Sequence, residues 1–133
     1  MRAAFCAAPQ GGSDVSLSRG GNVLAFRVGD ASSDLLALLE DALESVASDR
    51  GDLHEIAIDR GPDGFSTVRR RVAAASGLAR SLDAALAAVS GLSREEAAAL
   101  PSSEFRPRAS CVPLYAALPN ITASKKKKTW TTR

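Results

Sequence analysis

Aromatic, cysteine and histidine residues are all scarce in this 133-residue chain. Only 5% of the residues are aromatic, whereas 45% are hydrophobic and 25 are alanines, so the core of a single domain must consist largely of Ala, Leu and Val. Two distant cysteines and one histidine cannot supply the four ligands of a structural zinc site. No apolar run approaches the ~20 residues that cross a bilayer, and the N-terminal apolar stretch is too short for a signal peptide. The composition therefore predicts a cytoplasmic protein, without a membrane partner and with reduced thiols.

Positive charge is distributed unevenly along the chain. Residues 1–124 carry 12 arginines and no lysine against 15 Asp and Glu residues, a balance of −3. Residues 125–133 carry Lys125 to Lys128 and Arg133, a balance of +5. An acidic body does not fit a nucleic-acid-binding domain. We expect the tail to be a solvated end, and the alternative is that its lysines bind the phosphates of a nucleic acid.

The first third of the sequence predicts an antiparallel meander of three strands. Residues 3–8 form an apolar run that ends at a turn rich in proline and glycine. Val15 and Leu17 alternate with serines, the period of a half-buried strand. The glycines after Arg19 form a hairpin turn, since glycine adopts positive φ without steric cost. Residues 23–28 then form the returning strand.

The next segment predicts a long amphipathic helix. Aliphatic residues recur at three- and four-residue spacing, with carboxylates on the other side, from near Ala31 to Ser48. Asp30, Ser32 or Ser33 can cap the start of this helix. Residues 55–59 follow as a strand.

A second helix is predicted over about residues 66–81 and a buried strand over residues 84–89. Ser93 caps a small helix that ends at Leu100. A meander followed by alternating strands and helices predicts an α/β domain over residues 1–100. Residues 101–120 are predicted to be a linker with one candidate edge strand from Cys111, and residues 121–133 a basic, disordered tail.

The loop between the predicted strand at residues 55–59 and the second helix is the most suggestive segment for chemistry. A glycine-containing loop before a helix directs backbone N–H groups at one point, which suits an anion. The segment lacks the Gly-Lys-Ser/Thr ending of a phosphate-binding Walker loop and the spacing of a dinucleotide fingerprint. A tight packing turn is the favoured interpretation and an anion site the alternative. The loop residues concerned are Gly61, Pro62, Gly64, Ser66 and Thr67.

Residues 61–69 followed by residues 72–79 resemble the Gly-Pro-Gly-Ser-Phe-Thr-Gly-Val-Arg and Ala-x-x-Gly-Leu-Ala signature of the TsaB (YeaZ) family. That family acts in tRNA threonylcarbamoyladenosine biosynthesis. The resemblance implies one lobe of the actin-like, Hsp70-like and sugar-kinase-like (ribonuclease-H-like) fold: a three-strand meander extended by parallel strands, with helices packed on the sheet. Family members carry a second lobe of similar size, for which the residues between Leu100 and Cys111 are too few.

The same resemblance implies a partner subunit rather than an enzyme. Cys6 stands where the first strand of relatives that cleave ATP has a carboxylate for the metal and phosphates, and a thiol cannot replace that charge at Mg²⁺. We therefore expect no catalytic residue and no metal or cofactor in this chain, with ATP bound by partners. The alternatives are a stand-alone ATP-dependent enzyme of the actin-like superfamily and a degenerate homodimer without a role in modification.

In the family, two helices of this lobe pack against a TsaD-like transferase, and a TsaE-like ATPase is a further partner, with tRNA engaged through the complex. Small residues at Ala73, Ala74 and Gly77 would let another helix approach the second helix closely. The predicted interface, for the transferase or for a second copy, consists of Leu35, Leu36, Leu39, Leu43, Phe65, Val68, Arg69, Ala73, Ala74 and Gly77.

Overall fold

The computed structural model describes residues 1–9, 11–62, 64–107 and 109, and of Phe65 the backbone alone. These residues form one mixed five-stranded sheet with helices packed on it. In chain order the elements are β1 (Arg2–Ala7), β2 (Ser13–Arg19), β3 (Asn22–Val28), α1 (Leu35–Ser45), β4 (Glu55–Asp59), α2 (Phe65–Leu82), β5 (Ala85–Val89) and α3 (Arg94–Ala99). Short 3-10 turns lie at Arg50–Asp52 and Ser102–Glu104.

The strand order is β3-β2-β1-β4-β5. β2 pairs antiparallel with both β1 and β3, so the predicted meander is confirmed. β4 pairs in parallel with both β1 and β5, because a helix returns the chain to the same end of the sheet before each strand. The carboxyl ends of β1, β4 and β5 therefore meet at one edge of the sheet, where the loops that follow them lie side by side.

Large side chains fill one face of the sheet and small side chains the other. Phe5, Leu17 and Ile56 are fully buried beneath the two long helices, where α1 covers β2 and β3 and α2 covers β4. Ala4 and Ala57 face the opposite side, where, among the described residues, Leu92, α3 and Phe105 pack against them. The alternation follows from the period-2 pattern of the strands.

The first helix is shorter than predicted. It begins at Leu35 rather than near Ala31, because Asp34 is the N-cap and its Oδ1 accepts hydrogen bonds from the N–H groups of Leu36 and Ala37 at 3.1 and 3.3 Å. Asp30, which was predicted as a cap, instead accepts from Ser32 in a preceding turn. Four side chains within five residues could cap the helix, and Asp34, the one nearest the helix and not among the predicted caps, forms the cap.

The second helix and the small third helix lie close to their predicted positions. α2 begins at Phe65, after the N-cap Gly64, and ends at Leu82. Ser93 caps α3 as predicted, and Glu96 completes a capping box with it. None of the helices in the described part of the chain combines the length and apolar character that a bilayer crossing needs.

Residues 101–107 do more than connect two segments. Phe105 is 7% exposed and packs with the small side chains of the sheet. Arg106 forms an antiparallel bridge with Leu86 on the outer side of β5. This stretch therefore closes one face of the lobe. The candidate edge strand from Cys111 and the tail at residues 121–133 lie outside the described residues.

Candidate functional site

One buried carboxylate organises the loops at the carboxyl ends of the parallel strands. Asp59, the last residue of β4, is 3% exposed. Its Oδ1 accepts hydrogen bonds from the N–H groups of Gly61 at 3.0 Å and Gly91 at 3.3 Å, and its Oδ2 accepts one from Leu92 at 3.0 Å. Asp59 thus joins the loop after its own strand to the loop after β5, and it occupies N–H groups that an external anion would otherwise use.

A fully buried arginine adds the turn after β1 to this network. The Arg71 side chain on α2 donates from Nε to Ser13 Oγ at 2.9 Å, from Nη1 to the Asp59 carbonyl at 2.8 Å, and from Nη2 to the Gly12 carbonyl at 3.3 Å. Its Nη1 also lies 4.0 Å from Asp59 Oδ1. Hydrogen bonds and an opposite charge offset the cost of burying the guanidinium. The three strand-end loops are therefore fixed to one another from inside the lobe.

Cys6 lies beside a second buried acid–base pair. It stands opposite Asp14 in the β1–β2 pairing, and Asp14 Oδ2 accepts a hydrogen bond from Arg94 Nη2 at 2.8 Å. The Arg94 guanidinium also lies 3.7 Å from the centroid of the Phe26 ring. Burial, together with the charges of Asp14 and Asp59, raises the pKa of the Cys6 thiol to about 12. Because the thiolate is the reactive form of cysteine, this raised pKa makes Cys6 a poorer nucleophile than an ordinary thiol.

Burial likewise raises the pKa of Asp14, against the opposing effect of its ion pair with Arg94. Its Oδ1 atom is buried without a hydrogen-bond partner among the described residues. In that part of the chain, no group of three or more His, Cys, Asp or Glu side chains is placed to hold a metal ion. Both buried carboxylates at the strand ends, Asp14 and Asp59, therefore lie within reach of a buried or half-buried arginine.

The predicted glycine loop is built around these internal groups. Gly61 is buried with a φ of 112°, a conformation that suits glycine, and the peptide bond before Pro62 is cis. Gly64 is exposed, and no side chain caps the start of α2. Ser66 is exposed and Thr67 half-buried in the first turn. The carboxylate of Asp59 supports the favoured interpretation of this loop as a packing turn.

Two comparisons with known proteins return nothing: no protein-family model and no curated protein matches the chain. Solved structures do match. YeaZ from Pseudomonas aeruginosa has a TM-score of 0.57 and 28% sequence identity over 67% of this chain. An uncharacterized protein with similarity to peptidase YeaZ from Pseudomonas aeruginosa has a TM-score of 0.55 and 26% identity over 68% of this chain. The resemblance to YeaZ is confirmed.

The match to the YeaZ structures is partial on both sides. This chain covers 42% of the first and 44% of the second. It therefore spans less than half the length of these YeaZ-like proteins.

Four of the residues predicted for the YeaZ-like interface lie inside the lobe. Leu35, Leu39, Leu43 and Val68 are at most 7% exposed. They face the sheet because α1 and α2 each need an apolar face to cover its large side chains. Only the remaining predicted residues have surface to offer a partner.

Those remaining residues lie mainly on the outer side of α2. Arg69, Ala73 and Gly77 are exposed, and Leu36 and Ala74 are half-buried. A Cβ atom added at Gly77 would meet no other group within 4 Å. The side chain of Phe65 lies outside the described part of the structure. The outer surface of α2 is thus nearly flat along the line that joins Ala73 and Gly77, and these residues form the open stripe of α2.

Asp14, Asp59 and Arg71, the side chains that hold the strand ends together, were not among the predicted site residues. Arg71 follows Val68 by three residues, so helical periodicity places it on the inward face of α2. An arginine at such a position requires buried acceptors, and an acidic residue at the end of a strand is one source of them. An inward-facing arginine together with an acidic residue at a strand end was therefore the feature of the sequence that could have revealed this network.

Proposed function

We propose that this chain is a non-catalytic, TsaB-like partner subunit that binds a TsaD-like transferase during threonylcarbamoyladenosine modification of tRNA. Its fold is one lobe of the actin-like, Hsp70-like and sugar-kinase-like class, which the strand order and the YeaZ neighbours support. ATP and tRNA are bound by the assembled complex, in which a TsaE-like ATPase is a further partner.

The observation that carries this proposal is the open stripe on α2. Ala73 and Gly77 are exposed and four residues apart, so they lie one above the other on the same side of the helix. Among the described residues outside the backbone of α2 itself, no atom lies within 4 Å of a Cβ atom added at Gly77. Small residues in this arrangement let the backbone of a partner helix approach closely, which increases the contact area that two short helices can form.

The charged side chains near the stripe favour a partner whose own charges form a complementary pattern. Glu40, Asp41 and Glu44 are exposed on the outer side of α1, where Glu40 pairs with Arg50 and Asp41 with Arg27, whereas Arg69 and Arg80 are exposed on α2. A partner helix pair with the opposite arrangement would match both halves, and charge complementarity of this kind fixes register more than it adds affinity. A second copy of the chain rotated by a two-fold axis also satisfies this pattern, so the homodimer is an explicit outcome of the test.

The non-catalytic assignment rests on how the carboxylates at the strand ends are used. Asp59 accepts from three backbone N–H groups and Asp14 pairs with Arg94. Asp59 cannot turn toward a metal ion without breaking these buried hydrogen bonds, which costs about 1–3 kcal/mol for each group left unpaired. The Arg94 guanidinium offsets the negative charge of Asp14, whose Oδ1 has no hydrogen-bond partner among the described residues. Cys6 is 1% exposed and supplies no negative charge.

Replacement of Gly77 by leucine tests the interface. The purified full chain should bind the TsaD-like protein of its own organism in titration calorimetry, and the Gly77→Leu variant should bind at least about tenfold more weakly because the side chain holds the partner helix away. Ala99→Leu adds the same side chain at an exposed position on α3 and should bind normally. A folded Gly77→Leu protein with unchanged affinity would place the interface elsewhere.

The same proteins distinguish the two alternatives. A mass in solution that doubles for the wild type, stays single for Gly77→Leu and is accompanied by no transferase binding would support the homodimer. Steady ATP turnover by the pure chain, abolished by substitutions at Gly61 and Thr67, would support the enzyme and contradict the partner-subunit proposal.

A further inference from the structure

Arg70 joins the start of α2 to the turn that precedes α1. Its Nη1 donates to the Ala31 carbonyl at 2.5 Å, and its Nη2 donates to the carbonyls of Ser32 and Ser33 at 3.3 and 3.2 Å. These carbonyls belong to successive residues that end directly before Asp34, the N-cap of α1. One guanidinium therefore fixes the backbone from which α1 begins.

The turn that accepts from Arg70 is itself held together by Asp30. Its Oδ1 accepts from the Ser32 N–H at 2.9 Å and from the hydroxyl groups of Ser32 and Ser33 at 2.8 and 3.1 Å. Hydrogen bonds from Ser32 and Ser33 lower the pKa of the Asp30 carboxyl below its ordinary value, so the carboxylate form predominates at neutral pH. The carbonyls that Arg70 binds are therefore ordered by the turn.

The turn after β1 packs against the same segment. The Gly29 N–H donates to the Ser13 carbonyl at 3.0 Å, and a Cβ atom added at Gly12 would lie 2.5 Å from the Gly29 carbonyl oxygen. Arg71, the neighbour of Arg70 on α2, donates to the Ser13 hydroxyl at 2.9 Å. Two successive arginines of α2 and the turn after β1 thus form a closed set of contacts around the start of α1.

The two long helices share little surface with each other. α1 packs mainly on β2 and β3 and α2 mainly on β4, and direct contacts between the two helices are few. Packing of this kind fixes each helix to the sheet but connects the helices to each other only through the strands. The hydrogen bonds of Arg70 therefore provide a direct link between the first turns of α1 and α2.

The residues available for the proposed interface lie close to this link on both helices. Leu36 is in the first turn of α1, two residues after the N-cap Asp34. Ala73 and Ala74 follow Arg70 by three and four residues, so they lie on the same side of α2 as Arg70. A partner that contacts both helices requires Leu36 and the open stripe of α2 at a fixed separation.

We infer that Arg70 is a positioning residue for the partner interface: it holds the first turn of α1 beside α2, so that Leu36 and the open stripe form one preorganised surface. The inference rests on the proposed function, because it concerns the interface described there. A surface that is already ordered loses less conformational entropy on binding. The apparent affinity falls in proportion to the fraction of molecules in which the surface is assembled.

Replacement of Arg70 by methionine removes the donors and keeps an unbranched side chain. In the free chain, amide hydrogen exchange at Leu36 and Ala37 should become about three- to tenfold faster, the range that the net loss of a hydrogen bond supports. Titration calorimetry with the TsaD-like protein of the same organism should give a dissociation constant raised by a similar factor. Both are measured where the variant is fully folded, so lower global stability alone leaves the dissociation constant unchanged. Arg70→Lys keeps a charged donor and should restore part of both.

A second variant loosens the same turn from the other side. Asp30→Ala removes the acceptor of the turn without altering α2, so it should speed exchange at Leu36 and weaken binding as Arg70→Met does. The two substitutions together should weaken binding by less than the product of their separate factors, since both release one turn. Arg19→Met changes an exposed arginine of the β2–β3 hairpin and should alter neither exchange nor affinity.

The outcomes separate this inference from the proposed function. If the wild type binds the TsaD-like protein and Arg70→Met binds it equally well, the inference is overturned and the proposed function stands. Weaker binding with unchanged exchange at Leu36 would overturn it in favour of a direct contact between Arg70 and the partner. A wild-type chain that binds no TsaD-like protein would contradict the proposed function, and the inference with it. If Arg70→Met does not fold, Asp30→Ala provides the same two measurements.

Discussion

The two faces of the sheet are stabilised in different ways. On the face beneath α1 and α2, large side chains such as Phe5 and Ile58 are fully buried in an apolar cluster, to which the hydrogen bond between Arg71 and Ser13 adds a polar contact. On the opposite face the strands contribute mainly Ala4, Ala57 and Ala87, which bring little apolar area of their own. A sheet that alternates large and small residues can hold long helices on one side only, since the other side buries too little apolar area for them.

Arginine side chains compensate on the small-residue face. Arg2 is 8% exposed, and its Nη1 donates to the carbonyls of Ala97, Ala98 and Leu100 at 2.8, 3.2 and 2.8 Å. Its guanidinium also pairs with Glu55 at 2.9 Å. These bonds satisfy the free carbonyls at the end of α3 and hold that short helix on the sheet. Cover of this kind extends only as far as the arginines reach, which leaves the outer part of β3 exposed.

The largest effect should follow truncation on the large-residue face. Leu39 on α1 is fully buried in that core, so Leu39→Ala should lower the free energy of unfolding by about 2–5 kcal/mol through lost burial and a residual cavity. Urea denaturation followed by circular dichroism measures this. Leu36→Ala, on the same helix but half-buried, is the control and should cost clearly less. Equal losses at the two positions would show that α1 does not face the sheet as described.

A smaller and more local effect should follow loss of the arginine cap. Arg2→Met keeps the aliphatic volume but leaves three carbonyls unpaired, so we expect a loss of about 1.5–3 kcal/mol, the range for hydrogen bonds to charged groups. Amide exchange should accelerate first in α3, because the large-residue face is unaffected. Arg19→Met changes an exposed arginine and should be neutral. Uniform acceleration throughout the sheet would contradict a separate stabilisation of the two faces.

A third effect concerns the buried thiol on the small-residue face. The pKa of Cys6 rises from 9.0 to about 12 in the folded protein, so between those values the unfolded chain loses a proton that the folded chain retains. Stability from this group is present below pH 9 and falls as pH rises through the window, by up to about 1.4 kcal/mol per pH unit.

Unfolding free energies at pH 8, 9 and 10 measure this slope. The measurements should use a Cys111→Ser background, so that Cys6 is the single thiol. Replacing Cys6 by alanine in that background should flatten the slope over the same pH range. An equally steep slope without the thiol would assign the alkaline loss to other groups.

The sequence predicts the strands and helices of the two faces better than it predicts the individual side chains that cap or stabilise them. Period-2 and period-3.6 patterns place the strands and helices, because burial of an apolar face determines both. The start of α1 is less predictable, since Asp30, Ser32 and Asp34 offer the same cap chemistry within one turn. Charge alone does not reveal that Arg2 and Arg71 are buried, because their acceptors are carbonyls and side chains contributed by distant segments.

The candidate site shows the same division. The loop from Gly61 to Gly64 and the small residues of α2 stand out in the sequence, and the structure places them at the strand ends and on an open helix surface. The four aliphatic residues predicted for the interface are core residues, and sequence spacing cannot tell the side of a helix that faces a sheet from one that faces a partner. The shared role of Asp59 in two loops depends on the adjacency of β4 and β5, which becomes visible only in the fold.

The smallest effect should be a gain in stability on the outer side of the helix layer. Gly77 lies within α2, where glycine costs about 0.8–1.0 kcal/mol relative to alanine, and an added Cβ atom meets nothing within 4 Å. Gly77→Ala should therefore raise the unfolding free energy by about 0.5–1 kcal/mol, measured by urea denaturation. Gly12→Ala is the informative contrast: its φ is 80° and an added Cβ would lie 2.5 Å from the Gly29 carbonyl oxygen, so the same substitution should destabilise. A loss of stability in Gly77→Ala would mean that the surface above the helix is already occupied, for example by a second copy of the chain.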